Sequence, residues 1–230
     1  MLELEATYLA HIQRTHAAYG YELDFRRLTN MMGVRVRIVD HEYSSATANP
    51  PAVINLCKED VGVGDHGRFT RFHELAHILM QQCDVDAALT FYYGDSDQAE
   101  EHIERLCNIG ARLLLMPAPM LREARVSYGN SAQAVEYLRR HGRVSRSTAL
   151  RRLVLDDPHA SCAGMVSSGR YVSDLVRLNF RTPFGLFDKL PEEFHLSDDQ
   201  QSRRFRVEDV DVSSYRIPHT RTSISVLVAS

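Results

Sequence analysis

The segment His73-Glu74-Leu75-Ala76-His77 constrains this chain more than any other. Residues four apart lie one turn apart on the same helix face. Two imidazoles so placed can reach a single cation at about 2.0–2.1 Å each. The surrounding residues have the required helical period: from about Arg68 to Gln82, Phe69, Phe72, Ala76 and Leu79 make an apolar face. Glu74 directly follows the first imidazole, where it can take a proton from a water attacking a carbonyl. The competing reading is a solvated helix that merely contains two histidines and a glutamate. The apolar face, and a strand just before the helix, weigh against it.

A catalytic site of this type takes three protein ligands and keeps a fourth position open. No H-E-x-x-H-x-x-G-x-x-H extension is present, since Cys83 stands where a third histidine would fall. Cys83 reads more simply as a thiol at a helix end. The better source is the acidic stretch from about Gln98 to Leu115, which should stop before Met116-Pro117 because proline disfavours helical geometry in the residue preceding it. Its apolar stripe is Ile103, Leu106, Cys107, Gly110, Leu113 and Leu114. Glu101 falls on the opposite face with Arg105 and Arg112, where an i,i+4 ion pair to Arg105 is expected. Glu100 and Glu104 flank one edge of the stripe and His102 the other. Periodicity leaves Glu100 and Glu104 open as the third ligand.

The rest of the chain reads as α+β. An amphipathic helix spans 3–19 (Leu4, Tyr8, Ile12, Tyr19) and stops at Gly20. Leu23, Phe25 and Leu28 begin a short helix that ends near Gly33. VRVRIV, 34–39, alternates as a half-exposed strand, and AVINL, 52–56, is a second strand. Residues 59–67 read as loop, and the stretch from Cys83 to Asp97 as a connection without a strong signal. Helical segments follow at 119–126, 132–141 and 145–155. Beyond Pro158 comes a small mixed unit with strands such as SISVLV, 223–228.

At 230 residues, with 44% hydrophobic and 25% charged, the chain can bury a real core. A net charge of -3 gives no compositional case for a nucleic-acid coat or an anionic membrane. The four cysteines are spread out with no C-x-x-C pair, so reduced buried thiols are expected. The first residues have no basic n-region before an apolar run, and no stretch of about 18 apolar residues appears. A cytoplasmic location without a membrane partner is the expectation.

Arg68-Phe69-Thr70 leads into His73-Glu74-Leu75-Ala76-His77, and Ile103-Glu104-Arg105-Leu106-Cys107-Asn108 runs on to Leu114-Leu115-Met116-Pro117. This pattern resembles the ImmA/IrrE family of metallopeptidases, in its IrrE (PprI-like) branch, over roughly residues 50 to 120. The resemblance puts Glu104 at the third-ligand position, beside His73 and His77, with Glu74 as general base. It implies a zincin-like metallopeptidase domain at 1–117, a helical helix-turn-helix-like segment at 118–157, and a small α+β, GAF-like C-terminal unit at 158–230. Val144-Ser145-Arg146-Ser147-Thr148-Ala149-Leu150 resembles the family's VS-x-x-AL helix. The stretch after Pro158 is short for a full GAF-like domain. The implied activity is site-specific cleavage of an XRE-type helix-turn-helix repressor, which relieves repression of stress and DNA-damage genes. The implied cofactor is Zn²⁺, with Mn²⁺ binding such donors more weakly.

Two other function classes remain. Arg139, Arg140, Arg143, Arg146, Arg151 and Arg152 make the segment 132–155 basic, as a DNA-binding helix-turn-helix would be. A metal-free scaffold that binds the repressor without cutting it is the other. Asn55, in AVINL, has two readings of equal standing: part of a sheet edge able to pair with an extended peptide, or a strand-end residue satisfying a turn. Tyr92, Tyr93, His66 and His102 are candidates to supply an oxyanion donor or orient a ligand, although a structural role is the simpler reading for each. Arg203, Arg204 and Arg206, followed by Glu208, Asp209 and Asp211, read as solvated surface.

Overall fold

A computed structural model describes residues 2–61, 64–94, 96–196 and 200–229, so parts of the 59–67 loop and of the 83–97 connection lie outside the described residues. The chain divides into two compact units, Met1–Ala118 and Pro119–Ser230.

The first unit begins with α1 (Leu2–Ala18), whose Tyr8 and Ile12 are completely buried. Next comes α2 (Phe25–Met31), capped by Asp24, whose side chain accepts from the Arg27 amide at 2.9 Å. A three-stranded sheet follows: β1 (Arg35–Val39), β2 (Ser45–Thr47) and β3 (Val53–Cys57), in the order β1-β3-β2. β1 runs parallel to β3 and β2 antiparallel to it. β3 is therefore the central strand, and of the two readings of AVINL the one that makes it a sheet edge is corrected. It is buried because it is hydrogen-bonded on both sides and packed beneath α3. β1 also departs from expectation. It is not half-buried but almost wholly exposed, with Val36 38% and Ile38 59% accessible.

α3 (Asp65–Gln82), α4 (Val85–Tyr93) and α5 (Asp97–Leu115) complete the unit. The connection expected between the histidine helix and the acidic helix thus contains α4, which Asp84 starts from a left-handed conformation, φ 59°. Phe72, Leu75, Ile78 and Leu79 of α3 are fully buried, each contributing about 1.5–3 kcal/mol of apolar burial. Gln81, near the end of α3, ties the helix to the sheet: its Oε1 accepts from the Ala48 amide at 2.6 Å and its Nε2 donates to the Ala46 carbonyl at 3.2 Å.

α5 crosses α3 at Gly110. A Cβ on Gly110 would lie 2.4 Å from Tyr8 Oη, 2.7 Å from Ile12 Cδ1 and 2.9 Å from Ala76 Cβ. Only a residue without a side chain lets α1, α3 and α5 meet this closely. The Tyr8 hydroxyl, buried at the crossing, donates to the Ala76 carbonyl at 3.2 Å.

The second unit contains α6 (Ala118–Tyr128), α7 (Ala132–Gly142) and α8 (Arg146–Val154), then β4 (Cys162–Ser168), β5 (Tyr171–Leu178), a 3-10 turn at Glu192–Phe194, β6 (Ser202–Val207), β7 (Val210–Arg216) and β8 (Thr222–Ala229). The five strands form an antiparallel sheet in the order β5-β4-β8-β7-β6. α8 packs on β4 and β5, and α7 on β7 and β8. Gly164 in β4 makes room for Leu150 of α8, whose Cδ1 would be 2.5 Å from a Cβ there. The opposite sheet face carries a second core of Ala163, Met165, Val172, Leu190, Val212 and Leu227, closed by Phe194. β4 is consequently buried on both faces.

Candidate metal centre

His73 and His77 project from one face of α3, one turn apart, and α5 brings Glu104 to them. The His73 and His77 Nε2 atoms are 3.0 Å apart. Glu104 Oε2 is 3.1 Å from His73 Nε2, and Glu104 Oε1 is 3.1 Å from His77 Nε2. The two rings meet edge to face with centroids 4.7 Å apart, and Phe69 lies beside His73 at 6.3 Å. Among the described residues, His73, His77 and Glu104 are the group whose donor atoms converge closely enough to hold a metal ion.

The donor set fits such an ion. Three electron-rich groups, two imidazole nitrogens and the Glu104 carboxylate, face one another at 3.0–3.1 Å, and a proton on either ring can serve only one neighbour at a time. A small cation between them would satisfy all three. Donors about 2.0–2.1 Å from a tetrahedral centre are separated by roughly 3.3 Å, close to the spacing found here. Two imidazoles and one carboxylate are a catalytic rather than a closed structural set.

The electrostatics agree with this arrangement. Hydrogen bonds from His73 and His77 hold the Glu104 carboxyl well below the usual glutamate range. Glu74 behaves in the opposite way. It is only 7% accessible, and burial raises its carboxyl above the ordinary value although His77 and His73 pull it down. A carboxylate whose proton affinity is raised beside two imidazoles has the character of a proton acceptor.

The other sequence candidates lie elsewhere. Glu100 is exposed and away from the cluster. Cys83 caps the end of α3 and its thiol donates to the Met80 carbonyl at 3.3 Å. Tyr92 and His66 are exposed. Tyr93 and His102 bind each other, with the Tyr93 hydroxyl 3.0 Å from His102 Nδ1. On its other side His102 Nε2 lies 2.9 Å from Glu5 Oε1. Arg105 also donates to Glu5, at 2.7 Å, so the expected Glu101–Arg105 pair gives way to a bond reaching α1. Glu5 is the residue sequence reasoning missed. Its only signal is an acidic position on a helix whose partner face was not yet known. Asn55 is on the central strand, where its Nδ2 donates to Ser45 Oγ at 3.3 Å.

No helix among the described residues is long and apolar enough to cross a membrane.

The model of a peptidase family described as the IrrE N-terminal-like domain matches residues 20–154. The radiation response metalloprotease IrrE of Deinococcus deserti is 30% identical over 146 residues, which is 61% of this chain and 51% of that protein. The protein of the same name from Deinococcus radiodurans is 35% identical over 101 residues, 42% of this chain and 30% of its own length. The chain thus spans about half the length, or less, of the curated relatives it matches. A Mycobacterium tuberculosis transcriptional regulator superposes on the whole chain with a TM-score of 0.56 at 16% identity, covering 76% of that structure, a likeness of fold. With a family model covering more than half of its residues, this chain belongs to the ImmA/IrrE family of metallopeptidases.

Proposed function

We propose that this chain is a zinc-dependent endopeptidase that cuts an XRE-type helix-turn-helix repressor and so relieves repression of stress and DNA-damage genes in the cytoplasm. The observation that carries the reading is the convergence of His73, His77 and Glu104 beside a buried Glu74. In it, His73, His77 and Glu104 hold Zn²⁺, with Mn²⁺ as the alternative ion. The ion supplies Lewis acidity, polarising a carbonyl and making a nearby water acidic at neutral pH.

The chain's own groups perform the proton traffic. Glu74 accepts the proton of the attacking water on its carboxylate, which burial has made more basic. It can then pass that proton to the departing amide nitrogen, since one buried carboxyl serves as base and then as acid. Glu104 stays ionised throughout as a ligand of the ion, since metal ligation requires the deprotonated carboxylate. The family's curated relatives are named for a radiation response, which supports a stress-linked substrate.

A DNA-binding role through 132–155 is less well supported. Arg139 and Arg140 both pair with Glu136 at 2.8 Å, Arg151 with Asp174 at 2.7 Å, and the buried Arg152 with Asp156. Four of the six arginines that made the segment basic are thereby engaged with carboxylates of the same unit. The test is incubation with a candidate XRE repressor, with and without Zn²⁺ or Mn²⁺, read by mass spectrometry, with Glu74→Gln as control. Metal-dependent cleavage lost in the variant supports the proposal. An intact repressor under every metal moves the function to a non-cleaving scaffold.

A further inference from the structure

A sizeable cavity of the first unit lies away from the metal cluster. It is an open groove of about 920 Å³ along the outer edge of β1, between α2 and the start of α3. Arg26, Arg35, Arg37, Arg68 and Arg71 line it, against a single acidic residue, Asp24. Arg68 and Arg71 have partners of their own: Arg68 donates to the Leu23 carbonyl at 2.8 Å and Arg71 to the Gly67 carbonyl at 2.9 Å. Arg26, Arg35 and Arg37 are exposed, and none has a carboxylate partner among the described residues.

Among the described residues the backbone at this edge is also unpaired: β1 has β3 on one side and no strand on the other. The Arg35 amide donates to the Ala52 carbonyl at 2.8 Å, so Arg35 and Arg37 turn their main-chain groups toward β3. By the two-residue alternation of a parallel ladder, the N–H and C=O groups of Val36 and Ile38 face outward into the groove. Their side chains are exposed apolar surface beside those groups, Ile38 at 59%. Exposed strand edges are commonly blunted by charge, and the arginines do discourage two copies of β1 from pairing with each other. The same charges leave the edge open to a strand of opposite sign.

We infer that the free edge of β1 is a docking site for an extended acidic segment of a partner protein, added to the sheet as a fourth strand. Pairing with the outward N–H and C=O groups of Val36 and Ile38 supplies main-chain affinity. Alternation then sets the preferred sequence. Residues that fall beside Arg35 and Arg37 are Asp or Glu, and those that fall beside Val36 and Ile38 are β-branched or other apolar residues. The site is separate from the metal cluster and does not require metal.

The probe is a fluorescein-labelled peptide alternating Glu and Val, followed by fluorescence anisotropy with the full chain in the presence of a chelator. Controls are the Lys/Val counterpart, a Glu/Val peptide N-methylated along one edge, and a single-stranded DNA oligonucleotide of equal charge. The Glu/Val peptide should bind, weakening as salt is added, and Arg35→Ser with Arg37→Ser should weaken it about tenfold. N-methylation should abolish binding, as should Ile38→Pro, which removes an outward N–H while keeping the ladder to β3. The proposal is overturned if Glu/Val binds no better than Lys/Val, if the double arginine variant keeps its affinity, or if N-methylation has no effect. It is also overturned if the oligonucleotide binds more tightly than the peptide, since the groove would then serve nucleic acid. The N-methylated peptide decides the question on the native protein should Ile38→Pro fail to fold.

Discussion

Gly110→Ala tests how closely α5 must approach α3 for the metal cluster to form. The new methyl group would meet Tyr8 Oη at 2.4 Å, Ile12 Cδ1 at 2.7 Å and Ala76 Cβ at 2.9 Å. Two of these can yield by side-chain rotation, but Ala76 Cβ is fixed to the α3 backbone, so the helices themselves must part. Overpacking of a dense core costs about 1–3 kcal/mol, and three simultaneous contacts put this site at the upper end. Alanine returns roughly 0.8–1 kcal/mol of helix propensity over glycine. The net expectation is a loss of about 2 kcal/mol in urea unfolding of the apo protein. Ala76 immediately precedes His77, and α5 carries Glu104, so zinc affinity in a chelator competition should fall by about tenfold or more. Tyr8→Phe removes the nearest atom, and in that background Gly110→Ala should cost about 1 kcal/mol less. A Gly110→Ala protein as stable as the parent, with unchanged zinc affinity, would refute the reasoning.

The remaining expectations concern the metal and the second unit. Zinc at about a thousandfold over its Kd should stabilise the protein by roughly 4 kcal/mol in thermal or urea unfolding, because it binds the folded state. Glu104→Ala should remove that increment, whereas Glu74→Gln should keep it. Asp156 and Asp174 are partly buried, which alone would raise their carboxyls, but Arg152 with Arg125, and Arg151, hold them below the ordinary aspartate value. Their folded pKa values lie under the unfolded ones, so their contribution is fully present above about pH 5 and is lost as pH falls through 4 and below. The urea midpoint of the second unit should drop over that window, and Asp156→Asn should flatten the drop. That substitution leaves Arg152, only 5% accessible, with a neutral partner, and should cost about 3 kcal/mol at pH 7, the low end for breaking a buried pair.

Much of this structure was legible because long helices declare themselves by period. The stripe through Tyr8 and Ile12 and the faces through Phe72 and Leu106 each appear where the 3.6-residue repeat puts them. What failed was information that is not local. α4 is short and begins at a left-handed Asp84, so its nine residues lack a cap signal. β1 alternates like a half-buried strand, yet its described residues stay mostly exposed, because burial depends on what packs opposite and not on the strand itself. Glu100 and Glu104 flank the same stripe, so periodicity cannot separate them; the family resemblance points to Glu104, and the approach of α5 to α3 at Gly110 brings it to the imidazoles. Arg105 turned to Glu5 rather than Glu101 for the same reason, since the nearer partner on the helix lost to one on another element. In the second unit the strands β4 to β8 read as a mixed stretch because β6, SRRFRV, is polar. Arg206 in it lies 4.0 Å from Asp209 and from Asp211, and the Arg203 guanidinium sits over the Phe205 ring at 5.1 Å.

The most direct test is a crystal of the zinc-loaded chain examined by anomalous scattering at the zinc edge. A single strong peak about 2.0–2.2 Å from His73 Nε2, His77 Nε2 and a Glu104 oxygen is expected, with Glu74 beside it but not bound. A peak at any other cluster, or a Glu104 carboxylate turned away from both rings while zinc is present, would contradict the proposed centre.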